Sequence, residues 1–199
     1  MADRTRRVWR VGAWPAMGTS AMLTMGLLAM SMQADAQTTA TQAGATPPAA
    51  QPCGTAQYRQ FDFWLGEWEV SKPDGSPAGH SRIEAILGGC VILEHWTSAK
   101  PPYAGKSFNT YNSATGQWEQ FWVDNGGARL HLLGGLVDGR MVLAGVQDKP
   151  DPKTGIVQRE RITWSVETDG SVRQLWETST DDGKSWVVSF DGRYRHPRG

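Results

Sequence analysis

The chain has 199 residues, and its 20 lysines and arginines balance 20 aspartates and glutamates, so that it carries no formal net charge at pH 7. Because nucleic-acid affinity comes largely from clustered basic residues that neutralise phosphates, this balance excludes nucleic acid as an expected partner. The length fits one folded domain better than two.

The first segment has the pattern of a secretory signal. Four arginines within the first ten residues precede a stretch without charge from Val11 to Ala34, and small residues before Gln37 form a cleavage site. We therefore predict a signal peptide over 1–36 and a periplasmic or secreted protein with no stable membrane insertion after cleavage. An uncleaved membrane anchor is the alternative, because the uncharged stretch is long enough to span a bilayer.

The next segment, 37–52, contains neither a charge nor a large apolar side chain. Such a segment buries too little surface to become ordered, so we predict a disordered linker there and a single domain over 53–199. Cys53 and Cys90 are the only two cysteines in the chain. An oxidising compartment favours a disulfide between them, and two unpaired thiols are the alternative.

The segment just before Gly66 is predicted to form a short helical turn. Tyr58, Phe61 and Leu65 recur there at helical spacing. The apolar side of this turn is expected to cap one end of the fold that follows.

From Gly66 onward, strands and turns are predicted throughout. Turns such as Asp138-Gly139 and Asp169-Gly170 recur at short intervals, and the runs between them are rich in β-branched and aromatic residues. No apolar helical period longer than two turns is present. We predict an all-β fold, an antiparallel up-and-down β-barrel of about eight to ten strands, because closure removes exposed strand edges. An open two-sheet sandwich is the alternative.

One stretch carries a resemblance to a known family. Residues 61–70, Phe-Asp-Phe-Trp-Leu-Gly-Glu-Trp-Glu-Val, resemble the opening motif of a bacterial family of exported proteins with a domain of unknown function. The resemblance covers about 53–195, and no reaction is attached to that family. Further matches are Gly89-Cys90, Glu94-His95-Trp96, Tyr111-Asn112, Thr115-Gly116, Trp118, Trp176-Glu177, Asp182-Gly183-Lys184 and Trp186.

The same opening is similar to the Gly-x-Trp element at the start of the first strand in lipocalins and related calycin barrels. Here that element is Gly66-Glu67-Trp68. The resemblance implies a calycin-like barrel in which Gly66 and Trp68 have structural roles. It also implies that Arg193 or Arg195, near the end of the last strand, packs over the Trp68 indole.

Eight of the ten tryptophans lie in the predicted domain, which is more than a barrel of this length needs for packing. In the strand around Phe121, Trp118, Gln120 and Trp122 share one face, while Phe121 and Val123 share the other. Both faces carry bulky apolar groups and only one can fill a core. We therefore predict an interior cavity that binds a small apolar or aromatic molecule. The alternative is a dry barrel filled by the rings.

Polar residues on the strands are candidates for orienting the ligand. Glu94 shares strand parity with Trp96, and burial among indoles raises the pKa of a carboxyl and suits it to acid or base work. Arg161 alternates with Ile162 and is expected in solvent; with the faces inverted it would bind a carboxylate inside. The predicted ligand-binding residues are Trp96, Trp118, Trp122, Trp164, Glu94, Gln120 and Arg161.

Neither a metal nor a cofactor is predicted. The four histidines lack the short spacing of a metal site, and the predicted disulfide leaves no cysteine as a ligand. His196 lies where haem-binding barrels of similar architecture carry a histidine, but its charged neighbours indicate exposure to solvent. No phosphate loop, dinucleotide fingerprint or Gly-x-Ser-x-Gly sequence is present.

The main functional hypothesis is an exported, non-catalytic barrel that binds a small apolar or aromatic molecule. Two alternatives stay open. In one, the protein is an enzyme of an isomerase or cyclase type, in which Glu94 or His95 moves a proton in the same cavity. In the other, exposed tryptophans bind a protein or a glycan at the surface.

Overall fold

A computed structural model describes residues 52–147, 150 and 152–198. The predicted signal segment and the linker, apart from Pro52, lie outside the described residues. Ten antiparallel strands close into an up-and-down barrel, in which the last strand pairs with the first. This confirms the predicted all-β barrel and rules out the open sandwich. The strands are β1 (Gly66–Ser71), β2 (Pro77–Ile86), β3 (Val91–Ser98), β4 (Ala104–Asn112), β5 (Gln117–Asp124), β6 (Arg129–Val137), β7 (Arg140–Val146), β8 (Arg159–Val166), β9 (Val172–Ser179) and β10 (Val187–Arg195).

The strands follow the two-residue period that places alternate side chains inside the barrel. In β3, Ile92, Glu94 and Trp96 are buried, and none of the residues between them is. Asp138 and Gly139 join β6 to β7 with φ angles of 49° and 75°. Both residues thus occupy the left-handed region that a two-residue hairpin turn requires, and the chain turns back at once into the next strand.

One end of the barrel, which we call the floor, is closed by the segment before β1. Phe61 is fully buried there and stacks on Trp64, with the two ring centroids 5.0 Å apart. Its ring also lies edge-on to Trp164, at 5.1 Å, and to Trp118, at 5.6 Å. The predicted helical cap is therefore confirmed, and it fills the floor with aromatic rings.

The cap consists of two 3-10 turns, Ala56–Arg59 and Asp62–Trp64. In a 3-10 turn the side chains at positions i and i+3 lie on the same side. This geometry, with the Trp64 N–H donating to the Phe61 carbonyl at 3.1 Å, directs Phe61 and Trp64 into the floor instead of Phe61 and Leu65. None of the helical segments among the described residues is long and apolar enough to cross a bilayer.

A disulfide joins Cys53 to Cys90, as predicted. It attaches the start of the cap to the turn between β2 and β3. Nearby, the Arg59 guanidinium donates to the Gly89 carbonyl and pairs with Asp62 at 3.4 Å. The cap is therefore attached to the barrel by a covalent bond and by hydrogen bonding as well as by its buried rings.

The ring that stacks on Trp68 is the imidazole of His196, with centroids 4.0 Å apart. The guanidinium expected over this indole lies elsewhere. Arg193 and Arg195 have the parity of the outer face of β10, and both approach Asp169, at 3.5 and 3.9 Å. His196 follows the end of the strand, and there it turns back over the indole while remaining exposed to solvent, as predicted.

Candidate ligand-binding cavity

The barrel is hollow towards the end opposite the floor. A cavity of about 300 Å³ lies there, between the inner faces of the strands and the loops that join β1 to β2 and β3 to β4. We call it the barrel cavity. Lys72, Lys100 and Tyr103 lie at its rim, and aromatic side chains, glutamines and a single glutamate line its interior within the described part of the chain. This volume is at the lower end of the range for small-molecule sites.

Two glycines within strands hold the largest rings flat against the wall. A Cβ atom at Gly79 would lie 2.8 Å from the Trp96 ring, and one at Gly105 would lie 2.3 Å from the Trp122 ring. Only glycine therefore permits these indoles to lie across the neighbouring strand. As a result the rings form walls and leave the middle of the barrel open.

Three more rings complete this aromatic wall. Trp176 lies on β9, and its indole N–H donates to the Glu160 carboxylate at 2.6 Å. Phe190 lies edge-on to Trp96 with centroids 5.9 Å apart, and Tyr194 lies 6.5 Å from the same indole. These contacts position the rings before any ligand binds.

Glu94 is the acidic residue of the cavity lining. It is only 4% exposed, and its carboxylate accepts hydrogen bonds from the Ser81 hydroxyl at 3.0 Å and the Ser107 hydroxyl at 2.9 Å. No lysine, arginine or histidine among the described residues pairs with it. Burial raises the pKa of Glu94 to about 7, and the two hydroxyl groups offset only part of that effect.

A hydrogen-bond chain through Asn109 fixes the orientation of Gln120 in the cavity lining. The Asn109 amide nitrogen donates to the Ile92 carbonyl and to the Ser107 hydroxyl, both at 3.0 Å. The Asn109 oxygen must therefore accept from the Gln120 nitrogen, at 2.8 Å. The Gln120 oxygen is left as an acceptor without a partner among the described residues, and Gln120 lines the cavity.

Four of the seven predicted ligand-binding residues line the barrel cavity, namely Glu94, Trp96, Gln120 and Trp122. Two others, Trp118 and Trp164, face inward as predicted but lie lower, in the floor, where they contact Phe61. They do not line the cavity, because the cap fills the space beside them.

Arg161 lies on the outer face of β8. Its guanidinium donates to one Glu177 carboxylate oxygen at 2.9 and 3.1 Å and covers the Trp186 ring at 4.1 Å. Arg161 therefore faces outward, half-buried against Glu177 and Trp186, and the inverted arrangement, with Arg161 inside, is wrong.

Sequence reasoning missed three of the five rings of the wall, and it also missed Gln174. Gln174 and Trp176 share the parity of buried Val172 on β9, so the same alternation argument would have found them. Phe190 and Tyr194 on β10 share parity with each other and lie beyond the point, between Val188 and Phe190, at which the pairing with β9 shifts. The irregularity interrupts the alternation only for the residues before Phe190.

The second candidate for proton transfer, His95, faces away from the cavity. Its Nε2–H donates to Glu84 at 2.9 Å, and its Nδ1 accepts from the Lys106 ammonium at 2.7 Å. Both neighbours lie on the outer face of the barrel. The described residues also contain no cluster of three histidine, cysteine, aspartate or glutamate side chains that could hold a metal ion.

None of the eight tryptophans in the described residues is exposed. A surface site built on exposed indoles, the third functional hypothesis, therefore lacks its main feature. No protein-family model matches the chain, and no curated protein matches it.

Proposed function

We propose that this chain is an exported, calycin-like protein that binds a small apolar or aromatic molecule in the barrel cavity. The proposal includes a cleaved signal peptide over 1–36, a linker over 37–52 and one domain over 53–199. The disulfide supports export, because such bonds persist in oxidising compartments. The Gly66-Glu67-Trp68 element at the start of β1 supports the relation to calycin barrels.

One observation carries the binding proposal. Trp96 and Trp122 lie flat against the wall over Gly79 and Gly105, so that about 300 Å³ stays open between them. A barrel selected only for stability would fill this space, because close packing of the interior stabilises the fold. When the proposed ligand binds, it supplies the packing contacts that the empty cavity lacks. For a molecule of about ten non-hydrogen atoms, the ligand-efficiency range allows micromolar affinity.

A fluorescence titration tests the proposal. The neutral apolar fluorophore N-phenylnaphthylamine should bind saturably and quench the tryptophan emission of the protein. Trp122→Ala should weaken binding about tenfold, since it removes a wall of the cavity. Trp186→Ala is the matched control, because that indole lies outside the barrel against Arg161. Absence of saturable binding, or equal losses in both variants, would contradict the proposal.

A second candidate function is proton transfer by Glu94. A carboxyl with a pKa of about 7 that faces a cavity suits general acid or base catalysis at neutral pH. If this candidate is right, the wild-type protein turns over an isomerisable ligand. The turnover should disappear in Glu94→Gln, while the variant still binds the fluorophore. Full turnover in that variant would remove Glu94 from the reaction.

A further inference from the structure

Two carboxylates are buried in the described part of the barrel, and their surroundings differ. Glu160 accepts hydrogen bonds from Gln147, Gln158 and Trp176, at distances between 2.6 and 3.1 Å, and does not line the barrel cavity. Glu94 has only the two serine hydroxyls as donors, and it faces the cavity. Its carboxylate therefore still has lone pairs to offer to a ligand.

A buried carboxylate without a cation is unfavourable unless something compensates its charge. Removing such an ion from water has a desolvation penalty that a pair of neutral hydroxyl donors does not repay. A glutamine at position 94 would avoid that penalty: its oxygen would accept from one of the two hydroxyls, and its amide N–H would donate to the other. The presence of Glu94, rather than an amide, on the cavity wall thus points to a positively charged group of the ligand.

The other walls suit the same charge. The faces of indole, phenol and phenyl rings carry negative electrostatic potential and attract cations. Five such rings, Trp96, Trp122, Trp176, Phe190 and Tyr194, line the cavity together with Glu94. An anion placed there would be repelled by both the ring faces and the carboxylate.

One other polar group of the lining favours a ligand that donates hydrogen bonds. The Gln120 oxygen is an acceptor in the same cavity lining as Glu94, whereas the Gln174 oxygen already accepts from the Tyr194 hydroxyl. Lys72 and Lys100 are the basic residues of the lining, but both are exposed at the rim, where water screens their charge.

We propose that the ligand is an aromatic or arylalkyl amine, bound with its ammonium group on Glu94 and Gln120 and its ring among the tryptophans. An ammonium has three donors and matches these acceptors. The inference rests on the proposed binding function and adds to it the charge of the ligand. It differs from the second candidate function because the carboxylate binds a cation and transfers no proton to the ligand.

Binding of a cation must compete with protonation of Glu94. Burial holds the pKa of the carboxyl at about 7 in the free protein, so cation binding releases a proton and affinity rises as pH increases through 7. The negative charge of Glu94 disfavours ionisation of two titratable neighbours, Tyr103 and Tyr194. Burial raises the pKa of Tyr103 to about 12 and that of Tyr194 well above its usual value, so both remain neutral here.

Isothermal titration calorimetry with three matched probes tests the inference on the full chain. Phenethylamine should bind at least about tenfold more tightly than phenethyl alcohol at a pH of about 8, and hydrocinnamate should bind most weakly. The phenethylamine affinity should fall about 30-fold between pH of about 8.5 and 5.5, while the affinity of the alcohol stays constant. Titration at a pH of about 6.5, where most Glu94 carboxyls are protonated, in buffers of different ionisation enthalpy should show proton release by the wild-type protein.

Glu94→Gln should abolish both the amine preference and its pH dependence, and an unchanged far-ultraviolet circular dichroism spectrum would show that the variant is folded. Glu67→Gln, on the outer face of β1, is the matched control and should behave as wild type. If the alcohol binds as tightly as the amine, or no proton is released, the amine inference is wrong and the binding function stands. If hydrocinnamate binds best, the ligand is an anion and the inference is also wrong. If no probe and no fluorophore binds, both proposals fail.

Discussion

Glu94 connects the stability of the barrel to the chemistry of its cavity. Folding moves its carboxyl from water to a wall where it is 4% exposed and has only hydroxyl partners. The charged form loses more solvation in this transfer than two neutral donors return. The side chain is thus a stability cost that the proposed ligand offsets.

The free energy of unfolding should therefore fall as pH rises through the range in which Glu94 ionises. Its pKa of about 7 in the folded state lies above the unfolded value of 4.5, so its contribution is complete below pH 4.5 and is lost as pH approaches 7. The loss amounts to about 3 kcal/mol. Urea denaturation of wild type and Glu94→Gln at a series of pH values isolates this contribution, because all other groups are common to both. Parallel stability curves for the two proteins would contradict the prediction.

At the scale of elements, β10 performs two tasks along its length. Its C-terminal part pairs with β1 and closes the barrel, whereas its first residues continue beyond the end of β1 and contribute Phe190 to the cavity wall. A Cβ atom at Gly192 would lie 2.4 Å from the Phe190 ring and 3.1 Å from a Val70 methyl group. The absence of a side chain at Gly192 therefore allows the Phe190 ring to pack against the strand.

Gly192→Ala should push the Phe190 ring into the cavity and weaken fluorophore binding about tenfold. The contacts that a new methyl group meets are side-chain atoms, so the strand should persist with a loss of about 1 to 3 kcal/mol. Adding Phe190→Ala to Gly192→Ala should give the affinity of Phe190→Ala alone, since the clash is then absent. Gly135→Ala is the control, because a Cβ atom at that strand glycine meets open space. Additive effects of the two changes would show that Gly192 acts through other contacts.

Strand parity accounts for most of what could be predicted about the elements. Parity determines which face of a strand a side chain occupies, and it correctly placed Glu94 and Trp122 inside. It contains no information about height along the barrel axis, which depends on how the strands are staggered and how far the cap enters. Trp164 therefore has the predicted face but lies in the floor. Close approaches such as Trp122 over Gly105 join two strands, and the sequence of one strand does not reveal them.

At the scale of the whole molecule, the two ends of the barrel have different compositions and different tasks. The floor is filled by Phe61, Trp64 and their aromatic neighbours and is attached by the Cys53–Cys90 disulfide. The opposite end keeps about 300 Å³ free and carries the polar groups of the cavity. A hollow interior loses packing energy, and a closed, covalently attached floor supplies stability away from the binding site.

Removal of the disulfide should thus lower stability without a comparable loss of binding. The bond closes a loop with a sequence separation of 37 residues, and chain entropy assigns about 4 kcal/mol to such a loop. The double variant Cys53→Ser, Cys90→Ser should lose about this amount of unfolding free energy in urea, and a reducing agent should destabilise the wild type equally but leave the variant unchanged. Below the unfolding transition, fluorophore affinity should stay within about threefold of wild type, because the barrel cavity lies at the far end of the strands. If affinity collapsed while the barrel remained folded, the floor and the cavity would be coupled, and the division of tasks between the two ends would be wrong.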